Sequence, residues 1–133
     1  MHTPRHLAAL KELTAKASGD DAEAVRTACL RQYDSVYLNA ASERAARLAA
    51  GGALAVSSAV AEGRVQNGLA LVRPPGHHAM KEEFNGYSLF NSVAVAARNA
   101  VKNCGVGRVL IVDFDVHHGM DFLTGTPCLA MYF

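Results

Sequence analysis

The sequence predicts an α/β fold built on a parallel sheet, and three observations predict it. Val109-Leu110-Ile111-Val112 is an unbroken β-branched and aliphatic run, the composition of a strand covered on both faces. Leu69-Ala70-Leu71-Val72 is a second short apolar run, with a helix-period segment between the two. Each run ends in chemistry: Arg73-Pro74-Pro75-Gly76-His77-His78 after the first, and Asp113-Phe114-Asp115-Val116-His117-His118-Gly119 after the second. Open α/β sheets place their ligands beyond the carboxyl ends of the strands. The order strand, loop, helix, strand, loop is a βαβ unit, and its usual right-handed crossover would bring residues 77 and 115 to one sheet edge.

The elements follow from local chemistry. Thr3 before Pro4 starts a helix, because proline suits the first helical position, and Leu7, Leu10 and Leu13 give it an apolar side closed by Gly19. His2 and His6 share a face of that helix, and with no acid or cysteine beside them a solvated surface is expected. Asp20-Asp21 would cap a second short helix through Val25, Ala28 and Cys29. Tyr33 to Leu38 reads as a short strand or an extended turn. Ser42 and Glu43 open a long helix with Leu48, Ala55, Val56, Ala59 and Val60 on one stripe. Gly51-Gly52 inside it costs about 1 kcal/mol per glycine relative to alanine, acceptable where another backbone packs closely. Gly63 and Asn67-Gly68 lead into the first apolar run, and Lys81-Glu82-Glu83 reads as an exposed loop or a substrate rim. Asn91 or Ser92 caps a helix with Val93, Ala94, Ala97 and Val101 inward, ended by Gly105.

Composition excludes several classes. With 133 residues and 50% hydrophobic content, one domain with a core is expected. Thirteen basic against 12 acidic residues give a net charge of +1, so no general attraction to nucleic acid or membrane follows. Cys29, Cys104 and Cys128 lack metal or redox spacing, as in a reduced intracellular protein; the N-terminus lacks an apolar core, so no signal peptide is expected, and no run is long enough to cross a bilayer. Cytosol or nucleus is expected. Gly105-Val106-Gly107 follows a helix, the wrong side for a dinucleotide loop.

The chemistry concentrates in the two loops, which hold four of the six histidines. Asp113, Asp115 and His117 sit at i, i+2 and i+4, about 6–7 Å apart in an extended chain, too far for one ion to take all three. Two can share an ion if the strand curls at its end, and Asp115 with His117, before Gly119, is that pair. One oxygen and one nitrogen donor suit zinc, whose catalytic sites take three protein ligands and a water. His77 and His78, held by a stiff Pro-Pro-Gly turn beside carboxylates, suit proton transfer. A polar strand end with capping acids is the plainer reading of the same residues.

These stretches resemble the zinc-dependent histone deacetylase family, class II and most like its class IIb branch. The likeness is carried by Tyr33-Asp34-Ser35-Val36-Tyr37, Ala46 to Gly51, Val65 to His78, Phe90 to Arg98 and Val109 to Gly119. The resemblance implies a three-layer α/β fold of the arginase-deacetylase type with a central parallel sheet, truncated here, in which residues 1–133 are a partial catalytic domain. Residues 33–119 match best and 120–133 diverge. It implies that His77 is the inner histidine bonded to Asp113 and that His78 is the general base. Asp115 and His117 would be two of three zinc ligands. Tyr87 with Gly86 would line the tunnel for the acyl-lysine stem, and carbonyls around Asp113, Asp115 and His117 would hold a structural potassium ion.

The departures bound the activity. Met120 stands where the family has a polar residue, and a thioether is a poor hydrogen-bond partner. Residues 121–127 replace a longer loop, and Leu129-Ala130-Met131-Tyr132-Phe133 resumes a strand that stops abruptly, as in a truncated transcript, gene model or splice product. The third zinc ligand and the carbonyl-polarising tyrosine have no counterpart, so little or no catalysis is expected. The expected substrate is acetyl-lysine in histone or other proteins, in a chromatin-regulating or cytoplasmic role, alone or in a protein complex. Three alternatives remain: an acetylpolyamine deacetylase, a non-catalytic binding or regulatory remnant, and another metal hydrolase of the same fold such as a ureohydrolase.

Overall fold

The computed structural model describes residues 2–20 and 22–119, with 128–132 as backbone. The elements run α1 (Pro4–Lys16), α2 (Ala22–Gln32), α3 (Ser42–Ala61), α4 (Ser92–Asn103), β1 (Val109–Asp113) and β2 (Cys128–Tyr132). Thr3 caps α1, its hydroxyl accepting from the His6 amide at 3.3 Å, and Pro4 follows at the first helical position. The helix ends at Lys16, short of Gly19, where the bonding tightens to i→i−3: the Ser18 amide donates to the Ala15 carbonyl at 3.2 Å and the Gly19 amide to the Lys16 carbonyl at 3.4 Å. Met120 and the divergent loop, like Asp21 of the second cap, lie outside the described residues.

The core collects Leu10 of α1, Cys29 of α2, Val36 and Leu38 of the extended turn, Ala46 of α3, and Phe84, Leu89 and Phe90 of the loop before α4. Tyr33 to Leu38 is therefore a turn, not a strand, and Ser35 takes φ +52° within it. Two expectations about helix faces are corrected. On α3, Leu48 points to solvent while Ala46 and Ala49 are buried, and on α4, Val93 is exposed while Ala94, Ala96, Ala97 and Ala100 are buried. Small side chains take the inside because these helices pack on each other and on backbone at close range. A Cβ on Gly52 would lie 3.0 Å from Val72 Cγ1, whereas one on Gly51 would meet nothing within 4 Å.

The parallel sheet is seen only in part. The described residues form one two-stranded parallel ladder, β1 on β2, in the register Val109 with Cys128 through Asp113 with Tyr132. Residues 69–72 belong to no ladder among the described residues, so the first strand of the expected βαβ unit is not seen there. Nor is β1 buried on both faces: Ile111 is buried, but its neighbours Leu110 and Val112 are exposed. The resumed strand at 128–132 is present.

The N-terminal histidines depart most from expectation. His6 is 1% exposed, and its ring stacks on His2 with centroids 4.2 Å apart. His6 Nε2 donates to the Leu89 carbonyl at 2.7 Å, and His2 Nε2 accepts the Asn91 amide at 2.9 Å. The pair thus ties α1 to residues 89–91. Burial, and next the neighbouring His6, push the His2 imidazole down to about 4.

Candidate functional site

The two histidine-bearing loops meet although residues 69–72 join no ladder among the described residues. Residues 73–76 carry the chain onto the start of α4, and Gly76 is the contact: a Cβ there would lie 2.7 Å from both the Phe90 carbonyl oxygen and the Ser92 amide nitrogen. No other residue fits between the two backbones. His77 and His78 follow at once. His77 Nδ1 lies 2.9 Å from Asp113 Oδ2 at the carboxyl end of β1, and both side chains are largely buried. A carboxylate at Nδ1 fixes the orientation of the imidazole. Gly119 closes over this pair, since a Cβ would sit 3.0 Å from Asp113 Oδ2 and 3.2 Å from His77 Nδ1. Its glycine serves close packing here, whereas the bend expected of it lies at residues 116–117.

His78 stacks obliquely on His77 with centroids 4.1 Å apart, and its ring centre is 6.1 Å from that of His117. Its backbone amide donates to Ser88 Oγ at 3.3 Å. Burial lowers the His78 pKa, with smaller lowering contributions from His77 and His117 outweighing the opposing pull of Asp115 and Asp113. Gly86 lies against the other side of the ring, where a Cβ would meet His78 Cδ2 at 2.3 Å. Gly86 and Tyr87 take φ +49° and +62°, and their amides donate to the Asp34 and Ser35 carbonyls at 3.0 and 2.8 Å. Tyr87 is left 65% exposed, at a cleft of about 310 Å³ shared with Tyr37, Pro74, Pro75 and Leu89.

Beyond Asp113 the chain leaves β1 and bends at residues 116–117, as the ion-binding argument requires. Asp115 Oδ1 accepts the His117 amide at 2.9 Å and lies 3.3 Å from His117 Nδ1. The bond from the His117 amide is the main cause holding the Asp115 carboxyl below its usual range. Two ligands about 2.0–2.1 Å from a tetrahedral zinc lie about 3.3 Å apart, so this spacing fits one ion. A third donor is not there: no group of three histidine, cysteine, aspartate or glutamate side chains could hold a metal among the described residues.

Residues 1–121 match the histone deacetylase domain. The chain belongs to the histone deacetylase family. It is 48% identical to rat polyamine deacetylase HDAC10 over 119 residues and 47% identical to histone deacetylase HDA1 of Saccharomyces cerevisiae over 121, covering 90% of this chain in each case. It spans 19% and 16% of those two relatives. The HDA15 HD domain superposes with a TM-score of 0.80 at 36% identity, over 98% of this chain and 35% of that one.

In this deacetylase-family chain, sequence reasoning missed three contributors. Ser88, fully buried, anchors the His78 amide. Asn91 caps α4 as expected, its Oδ1 accepting the Ala94 amide at 3.0 Å, but the bond that its backbone amide donates to His2 Nε2 was not foreseen. His6 holds the Leu89 carbonyl. The signal for His2 and His6 was their four-residue spacing on a helix whose partner segment, eighty residues away, cannot be read from periodicity.

Proposed function

We propose that the chain is part of a zinc-dependent deacetylase domain whose reaction is hydrolysis of the acetyl-lysine amide in histone or other proteins. The observation that carries this reading is the meeting of the two loops: the His77–Asp113 pair at 2.9 Å, with His78 on one side and the Asp115 and His117 donor atoms 3.3 Å apart on the other. Asp115 and His117 would hold the zinc, with a third donor from outside the described residues. Zinc, when bound, polarises the acyl carbonyl and acidifies water. His78, neutral near pH 7 because its pKa is lowered, would accept a proton from the attacking water and return it to the leaving amine. Asp113 would hold His77 in one orientation behind it. Tyr87 would pack its exposed ring against the methylene stem of the lysine. A potassium ion on carbonyls near Asp113, Asp115 and His117 would be structural.

The 133 residues alone would be poorly active, because two donors make a weak site and no described residue polarises the carbonyl, a contribution of about 3 kcal/mol or more to transition-state stabilisation. The same shortage supports the second reading, a binding or regulatory remnant. Acetylpolyamine stands beside acetyl-lysine as substrate, since the HDAC10 and HDA1 relatives are almost equally similar. Cytoplasm and nucleus are the proposed compartments; no described helix is long and apolar enough to cross a membrane.

Zinc content of the purified chain, with turnover of an acetyl-lysine peptide and of an acetylpolyamine on the same sample, tests this. The expected result is well under one zinc per chain and no turnover with either substrate. One tightly held zinc with turnover lost in His78→Ala would show that the 133 residues complete the site themselves. Substoichiometric zinc unchanged by His117→Ala would remove the assignment of that ligand.

A further inference from the structure

His6 occupies a core position where an apolar side chain would pack as well. Its ring centroid is 4.5 Å from that of Phe84 and 6.0 Å from that of Phe90, and it is almost fully buried. Nε2 donates to the Leu89 carbonyl at 2.7 Å, so Nδ1 carries the lone pair, and that atom is buried with no hydrogen-bond partner among the described residues. A buried acceptor left without a donor is destabilising, and such a group calls for an explanation. His2, stacked on His6, holds the opposite tautomer. Its Nε2 accepts the Asn91 amide at 2.9 Å, which leaves the proton on Nδ1, on the side of the Met80 and Lys81 carbonyls.

The two bonds fall on either side of one residue. The Leu89 carbonyl belongs to the peptide group that enters Phe90, and the Asn91 N–H to the group that leaves it. That second peptide is trans, so its N–H and C=O point in opposite directions. An Asn91 N–H held by His2 therefore fixes where the Phe90 carbonyl points. That oxygen is one of the two backbone atoms against which Gly76 is seated, 2.7 Å from the place a Cβ would take. His77 and His78 come next in the chain, and the Ala79 amide closes a turn around them on the Gly76 carbonyl at 3.1 Å. Ser88, the residue before Leu89, accepts the His78 amide at 3.3 Å. The seat of the histidine pair is thus the run from Ser88 to Ser92, and two of its peptide groups are gripped by imidazoles from the N-terminal end of α1.

We propose that His2 and His6 are positioning residues for His77 and His78: by fixing the peptide groups on both sides of Phe90 they set the backbone on which Gly76 rests, and with it the orientation of the two rings that follow. This accounts for a buried histidine with an orphaned nitrogen at position 6, because a leucine there would fill the space but leave the Leu89 carbonyl unheld. The inference rests on the reading of His78 as the proton acceptor of the deacetylase site. Ring placement is read without turnover, so the two can fail separately.

The test is nuclear magnetic resonance on the 133-residue chain at one pH, reading the ring signals of His77 and His78 and the exchange of the His78 and Ala79 amides. Glutamine places its terminal amide near the position of Nε2, so His2→Gln keeps an acceptor and His6→Gln keeps a donor, whereas His2→Leu and His6→Leu keep neither. Both leucine variants should shift the two ring signals and speed exchange of the two amides by about tenfold, with Ala97 and Ala100 of α4 unchanged. Both glutamine variants should restore the wild-type signals. Leu10→Ala, a truncation at a fully buried position of the same helix, should lower the urea midpoint and leave the rings in place. Unmoved rings in the leucine variants, or rings moved as far by Leu10→Ala or by the glutamines, would overturn the proposal. The wild-type chain decides the case should a variant not fold: nitrogen shifts should show His2 protonated at Nδ1 and His6 at Nε2, and both rings protonated at Nε2 would remove the grip on the Asn91 amide and the proposal with it.

Discussion

Gly86 shows how single residues set the site. Its φ of +49° disfavours any side chain, and the His78 ring occupies the position a Cβ would need. Gly86→Ala must displace the imidazole or unwind the turn, and left-handed strain with overpacking together costs about 2–4 kcal/mol. Urea unfolding should show that loss, and the His78 ring signals should shift. Protonation gives a second residue-scale expectation. The His2 pKa is about 4 in the folded chain against an ordinary 6.5, so the unfolded chain takes up its proton first as the pH falls. Stability is fully present above pH 6.5 and is lost as the pH falls toward 4. His2→Gln, which keeps an acceptor for the Asn91 amide but does not titrate, should flatten part of that slope in urea midpoints measured at pH 7, 6, 5 and 4.5.

At the scale of elements, the two adjacent glycines of α3 separate by environment. Gly51 has open space around it, so Gly51→Ala should stabilise by about 1 kcal/mol through helix propensity. Gly52 faces Val72, which must give way, so Gly52→Ala should gain less or lose outright; thermal melts of the two variants in parallel would show the difference. The sequence contained the helices and their starts, because caps such as Thr3-Pro4 and Asn91 act within a few residues. The pairing of His77 with Asp113 was legible only through the family resemblance, since the α/β order alone brings the two loops to one edge without naming the bonded atoms. The face of α3 was hidden. Leu48 looked like core because it is large, but close approach of backbone selects the alanines and glycines instead. The stacked His2 and His6 were hidden for a related reason, since their partners Leu89 and Asn91 lie at the far end of the chain. Residues 69–72 join no ladder among the described residues, because a strand is a property of two segments and the composition of one cannot supply the other.

Across the whole molecule, order is unevenly distributed, and the site sits where it is thinnest. The buried cluster joins α1, α2, the start of α3 and the loop from Phe84 to Phe90, whereas among the described elements β1 packs chiefly on α4 and pairs with β2. A two-stranded ladder is marginally stable by itself, and Leu110 and Val112 add little burial to this one. His77 and His78 are therefore held by the well-packed part, through Gly76 and Ser88, while Asp113, Asp115 and His117 hang on the poorly packed part. The His77–Asp113 bond crosses between them, and its persistence depends on how often β1 opens. Local opening free energies range from near zero at loosely packed elements to the global value in the core. Native-state hydrogen exchange should find Ile111 and Val112 less protected than Ala97 and Ala100 of α4, and Asp113→Asn should lower protection in β1 while leaving α4 unchanged. Equal protection in β1 and α4 would mean that the ladder unfolds only with the core, and that both halves of the site share one cooperative unit.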